Sequence, residues 1–273
     1  MINPDQLLNG TIGLWWQNTP AYEGHQIGSF SPPSNHEELA AAETHLHAQG
    51  CTFAIAPMEG NAWRAHRAVV ESDGSPPFLL EPITPPQTAH LLHHSGYQIL
   101  ARYSSSRIDL RTPSRDLSRL EKRLEDISIR SLKVEDLESE LRAVYRLSTR
   151  AFADNFLYTP ITESEFLAQY LPLRSHLTPN CAFLAESGDQ LVGYVFGYPD
   201  QDRFIVKTLA VLPERRFAGL GTLLVDQMQR QASLNSFTTA IHALQREDNQ
   251  SLRISRRFDA TIFRRYALFG KPL

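Results

Sequence analysis

The chain has 273 residues, 42% of them apolar and 21% charged, with a formal net charge of −3. That balance suits a chain that buries one large core or two smaller ones. It excludes a general nucleic-acid binder, which needs a basic surface, and the lack of a long apolar run argues against a membrane span. Cys51 and Cys181 lie far apart beside apolar strand-like sequence, as expected of reduced, buried thiols. The opening "MINPDQLLNG" has neither a basic nor an apolar leader region, so a cytoplasmic location is expected.

In chain order, scattered turn chemistry precedes a helix in "NHEELAAAETHLHAQG", with Asn35 as its N-cap and Gly50 as its stop. "CTFAIAP" reads as a short strand closed by Pro57, and "EGNAWRAHRAVV" as a return to helical pattern. A proline-rich stretch leads to the helix "TAHLLHHSG" and then to two strands in "YQILARYSSSRIDL". His90, His93 and His94 have metal-compatible spacing on that helix, but no second cluster accompanies them, so no metal is expected. The charge-dense "RTPSRDLSRLEKRLED" has lost strand character and sets the expected division: a module over 1–112, a linker over 113–126 and a second module over 127–273.

The second module opens with the strand "ISIRSL" and a helix whose Leu137, Leu141, Val144 and Leu147 form one apolar stripe. A helix in "TESEFLAQYLPL" follows, then the strands "CAFLAES", "QLVGYVFGYP" and "RFIVKTLAV". After another helix come a strand in "FTTAIHAL", a short helix in "DNQSLRIS" and closing strand sequence in "FDATIFRRYALF". The two halves share an order of elements: Ala54-Ile55 leads to Glu59 and Asn61, and Ala240-Ile241 leads to Asp248 and Asn249. This is a weak internal repeat. The halves differ where the second has "RRFAGLG" before its helix and the first has "IGSFSPPSN", whose prolines remove backbone donors.

"VKTLAVLPERRFAGLGTLLVDQMQ" carries the chemistry. A helix N-terminus presents unpaired N–H groups and partial positive charge, so phosphate oxygens bind there. Arg216, Gly219 and Gly221, spaced Arg-x-x-Gly-x-Gly, let the backbone approach a diphosphate. No Gly-x-x-x-x-Gly-Lys string exists for a mononucleotide loop, and a dinucleotide fold would need a third glycine where Leu224 stands.

At these residues the chain resembles the GNAT superfamily of acyl-CoA-dependent N-acyltransferases. "KTLAVLPE" is similar to that family's fourth strand, "DNQS" to its fifth-strand exit and "RRYALF" to its last strand, over roughly Ile127 to Leu273. "GHQIGSF", "APMEGNAW" and "GSPPFLLEP" resemble the truncated GNAT-like modules that precede the working domain in some two-domain members. The resemblance implies an α/β (α+β) fold: a mixed, mostly antiparallel twisted sheet flanked by helices, preceded by a smaller, incomplete GNAT-like module. It implies direct transfer of an acetyl group from acetyl-CoA, as cosubstrate, to an amine. Cofactor contacts are then expected from Leu209, Val211, Arg216, Phe217, Ala218, Gly219, Leu220, Gly221, Thr222 and Asn249.

The tyrosine that many members place late in the following helix is absent, leaving Ser255 and Tyr266 as candidate acids; no base is assigned. Asp154, Asn155 and Tyr158 are candidate acceptor contacts. The expected partner is a small-molecule or peptide amine, with a second copy of the chain as a candidate, and neither nucleic acid nor membrane. A non-catalytic acyl-CoA sensor and an oxidoreductase using the glycines for a dinucleotide are the rival readings.

Overall fold

The computed structural model describes residues 3–112 and 115–273 and divides into two compact units. The first comprises Met1–Ser104, Asn155–Thr159 and Phe263–Leu273; the second comprises Ser105–Asp154 and Pro160–Ile262. Pro113 and Ser114 of the expected linker lie outside the described residues. The closing strand sequence, expected with the second module, therefore falls almost wholly in the first unit.

The elements before the linker are β1 (Gln6–Leu8), β2 (Ile12–Trp15), β3 (Ile27–Phe30), α1 (His36–Ala48), β4 (Phe53–Ala56), β5 (Ala68–Ser72), α2 (Thr88–His94) and β6 (Gln98–Asp109). After it come α3 (Ser118–Arg123), β7 (Ile127–Ser131), α4 (Leu137–Ala151), α5 (Glu163–Tyr170), β8 (Ala182–Ser187), β9 (Gln190–Asp200) and β10 (Arg203–Val211). α6 (Leu220–Leu234), β11 (Thr239–Arg246), α7 (Gln250–Arg257) and β12 (Thr261–Pro272) complete the chain.

In the first unit β1, β2 and β3 run antiparallel, and β3 pairs parallel with β4 from Ile27↔Phe53 to Ser29↔Ile55. α1 forms as expected: the Asn35 side chain accepts the Glu38 amide, and Leu39, Ala42 and Leu46 are buried. Phe269–Pro272 of β12 pairs with β4, and Arg264–Ala267 pairs with β5. This explains the location of the last strand. Tyr266, Ala267, Leu268 and Phe269 are almost fully buried there, and burying a large apolar side chain stabilises by roughly 1.5–3 kcal/mol.

Arg264 joins Glu81 through a 2.6 Å ion pair in which both side chains are at most 5% exposed, and the Tyr266 hydroxyl donates to the same carboxylate. The helical pattern expected after Glu59 is replaced by a turn and β5. Gly60 and Arg67 both have φ of +82°, which no helix accommodates, and the Asn61 side chain accepts the Trp63 amide at 3.0 Å, closing a local turn. "YQILARYSSSRIDL" forms one strand, β6, where two were expected.

In the second unit β7, β8, β9 and β10 are successively antiparallel, and β10 pairs parallel with β11. The Ser105–Asp109 end of β6 belongs to this unit, where the Leu244 amide donates to the Ser105 hydroxyl at 3.1 Å. α4 buries Leu137, Leu141, Val144 and Leu147, the stripe read from the sequence. α5 starts at a reciprocal cap between Thr162 and Glu165. α6 buries Leu220, Leu224, Val225, Met228 and Ala232 on one face. Its turn into the strand–helix junction positions the candidate site.

Candidate functional site

β10 and β11 pair only from Arg203↔Thr239 to Val206↔His242. Past Val206 a register shift at Lys207 interrupts the β9 ladder, which then resumes from Thr208↔Phe196 to Val211↔Gly193. Such a bulge bends a strand and raises its twist. β10 thus keeps one partner and loses the other. The Leu212 amide donates to Val192 on the β9 side at 2.9 Å. Amides alternate between the two edges of a strand, so those of Leu209 and Val211 face the edge that β11 has left.

The loop after β10 winds through a single 3-10 turn, Arg215–Phe217, into Gly219 at φ +91° and then α6. Only glycine adopts that left-handed conformation without strain. The Phe217 amide donates to Glu214, the Ala218 amide to Arg215 and the Thr222 amide to Gly219, at 3.0, 3.2 and 3.0 Å. Of the six amides from Phe217 to Thr222, all expected to contact the cofactor, these three are committed within the loop itself. The amides of Gly219, Leu220 and Gly221 have no acceptor among the described residues. α6 has neither a side-chain cap nor an acidic residue in its first turn, so its positive end is left uncompensated.

Side chains line this opening closely. A Cβ on Gly221 would lie 3.0 Å from Ile254 and 3.3 Å from Leu209, so hydrogen alone fits between the end of β10 and α7. A Cβ on Gly219 would lie 2.8 Å from Arg123 Nη2 and 2.9 Å from a Leu120 methyl, both on α3. Arg123 donates from Nη2 to the Ala218 carbonyl. Arg216, the arginine of the motif, turns back: its Nε donates to Glu214 at 2.9 Å and its guanidinium lies over the Phe217 ring. Asn249 caps α7, its Oδ1 accepting the Gln250 amide at 2.6 Å.

The candidate acids are both tied down. Ser255 is buried in α7 with its hydroxyl 2.7 Å from His242 Nδ1, 2.8 Å from Gln245 Oε1 and 3.2 Å from the Ser251 carbonyl. One O–H cannot serve all three. With Ser255 donating to Gln245, His242 donates from Nδ1 and its Nε2 accepts from the Gln229 amide at 3.0 Å. Burial pushes the His242 pKa down to about 3, so the ring is neutral, as this arrangement requires. Tyr266 belongs to the first unit, where its hydroxyl is engaged by Glu81.

The acceptor trio is divided as well. Asp154 is exposed and ends a segment of the second unit, whereas Asn155 and Tyr158 belong to the first. The Tyr158 ring packs 6.1 Å from that of Trp63, whose indole donates to the Thr159 carbonyl at 2.8 Å. Arg123, Ile254 and the His242 network carry no signal of such a site in the sequence. Arg123 sits 95 positions before Ala218 in a charged stretch that reads as linker, and the other two look like ordinary apolar and strand positions.

No helix among the described residues is long and apolar enough to cross a membrane. No curated protein sequence matches the chain. The model of the acetyltransferase (GNAT) family matches residues 141–254. Among solved structures, a GCN5-related N-acetyltransferase from Sphaerobacter thermophilus is 14% identical over 96% of this chain and 76% of its own, with a TM-score of 0.60. A tandem GNAT protein from the clavulanic acid biosynthesis pathway is 14% identical over 90% and 75%, with a TM-score of 0.55. A GCN5-related N-acetyltransferase from Anabaena variabilis is 8% identical over 96% and 59%, with a TM-score of 0.53. Residues 141–254 therefore match the GNAT acetyltransferase family, within a chain whose fold is similar to that of a tandem GNAT protein.

Proposed function

We propose that the second unit binds acetyl-CoA and transfers its acetyl group directly to an amine. The observation that carries this reading is the coincidence of an unpaired strand edge at Leu209 and Val211 with three uncommitted amides at Gly219, Leu220 and Gly221. A pantetheine arm has amide groups that can pair with an open strand edge, and a diphosphate fits the start of α6. Leu209 and Ile254 supply apolar walls between them. In this reading the Leu209 or Val211 amide also polarises the thioester carbonyl.

The uncharged amine attacks the thioester carbon, forming the N–C bond. The C–S bond then breaks, the amine loses a proton, and the departing thiolate gains one. β10 offers no carboxylate near its bulge, and the hydroxyls of Ser255 and Tyr266 are engaged elsewhere. Water at the mouth of the cleft is then the favoured carrier of both protons. The same commitment of hydroxyls favours, as a second reading, a domain that binds acyl-CoA without turning it over.

Thiol release from acetyl-CoA, measured across a panel of small and peptide amines, separates the two. Release that depends on one amine class supports transfer. Tight acetyl-CoA binding without release on any amine supports the sensor, and no binding at all refutes both.

A further inference from the structure

We propose that Arg123, on the helix between the two halves of the chain, is a ligand of the cofactor diphosphate. This rests on the acyl-CoA reading above and adds a residue that lies outside its motif. A diphosphate on the amides of Gly219, Leu220 and Gly221 calls for a nearby full positive charge, and the motif does not supply one from Arg216. That side chain is 59% exposed and neutralised by Glu214, which also faces Arg150 at 3.6 Å.

Arg123 is placed differently. Its Nη2 lies 2.8 Å from where a Gly219 Cβ would be, and it donates to the carbonyl of Ala218, one residue before the open amides. A guanidinium carries five N–H donors, and this carbonyl is its one acceptor among the described residues. The Arg123 side chain is exposed, but the helix that carries it is held in place. Leu120 packs over Gly219 one turn earlier on the same helix, and Leu124, buried to 6% exposure, anchors the helix end. Arg119 and Lys122 add to a basic exposed face.

With the cofactor bound, the guanidinium keeps or exchanges its bond to Ala218 and directs its remaining donors at phosphate oxygens. Charge-assisted bonds of this type are among the stronger ones available to a surface-accessible site. α3, a helix of the second unit, then becomes part of the cofactor site, and cofactor binding holds it against α6.

The test is calorimetric binding of CoA and of dephospho-CoA, which keeps the diphosphate but lacks the 3′-phosphate, to the full chain and to Arg123→Ala and Arg123→Lys. Arg123→Ala is expected to bind both ligands roughly tenfold more weakly, with an unchanged melting temperature, and Arg123→Lys to recover part of the loss. Binding to Arg123→Ala that is unchanged, or tighter because a plug has been removed, overturns the assignment. A loss for CoA alone also overturns it, because the side chain then serves the 3′-phosphate. A wild-type chain that binds neither ligand refutes the acyl-CoA reading itself, and the role of Arg123 falls with it.

Discussion

Each unit contains a parallel strand pair connected by a helix, β3–α1–β4 in the first and β10–α6–β11 in the second, and the two pairs end differently. In the first unit β3 and β4 pair through Ser29↔Ile55, and the Met58 amide then donates to the Phe30 carbonyl at 2.9 Å, so the chain closes behind the pair. In the second unit the pairing of β10 with β11 ends at Val206↔His242. The helix starts differ in charge. Before α1, Pro32 and Pro33 have no amide to give, the Ser31 amide is taken by Gly13, the Ser34 amide by the Glu38 carboxylate and the Glu38 amide by Asn35.

Three consecutive amides remain open at each start among the described residues, Asn35, His36 and Glu37 at α1 and Gly219, Leu220 and Gly221 at α6, but no acid stands in the first turn of α6. α1, by contrast, has Glu37 and Glu38 there, which stabilise the helix and repel an anion. The same supersecondary unit meets an anion with carboxylates at its helix start in one half and with an uncompensated positive helix end in the other. Charge at the helix start and an open strand edge, more than fold, distinguish the half that can bind.

The comparison can be broken from either side. The largest effect is expected in the first unit, where Arg264→Ala leaves the Glu81 carboxylate buried without its partner. A cost of about 3–5 kcal/mol follows, read as a fall in the denaturation midpoint, and a loss below ~1 kcal/mol contradicts the role given to this pair in holding the last strand. Gly219→Glu in the second unit places a carboxylate beside the open amides, at a φ that side chains rarely adopt and within 3 Å of Arg123 and Leu120. CoA affinity should drop by ~100-fold or more, equivalent to about 2.7 kcal/mol, with far-ultraviolet circular dichroism unchanged and some loss of stability.

His242 gives a pH signature belonging to the second unit alone. Its folded pKa, about 3, lies below the ordinary value of 6.5. Below pH ~6.5 the unfolded chain therefore takes up a proton that the folded unit refuses. Stability falls as pH drops through that window, by up to about 1.4 kcal/mol per unit, and this group has no effect above it. His242→Gln should flatten the slope of stability against pH between about 6.5 and 3, and an unchanged slope refutes the neutral, buried imidazole. The smallest effect is expected from Tyr266→Phe, which removes one hydrogen bond to Glu81, at about 1–2 kcal/mol by chemical denaturation and with no change in CoA affinity.

Much of this comparison is legible in the sequence. The prolines of "SPPSN" against the glycines of "FAGLG", the cap at Asn35 and the stripe on α4 are local signals, and each shapes structure within a few residues of itself. Other features are not local. Phe263–Leu273 reads as a strand, but which unit it joins depends on β4 and β5, some 200 residues earlier in the chain. Arg216 has the right type and spacing, yet Glu214 two residues before it decides where its charge goes. Ser255 and Tyr266 have the right chemistry for an acid, but a hydroxyl's availability is set by its partners, and those are found only when the chain folds.

The most direct test is residue-resolved amide hydrogen exchange with and without CoA. The account predicts new protection at Gly219, Leu220 and Gly221 and at Leu209 or Val211, with no change between Ser31 and Glu38. CoA binding that leaves those loop amides exchanging as in the free protein, or that protects the first unit's loop instead, would contradict it.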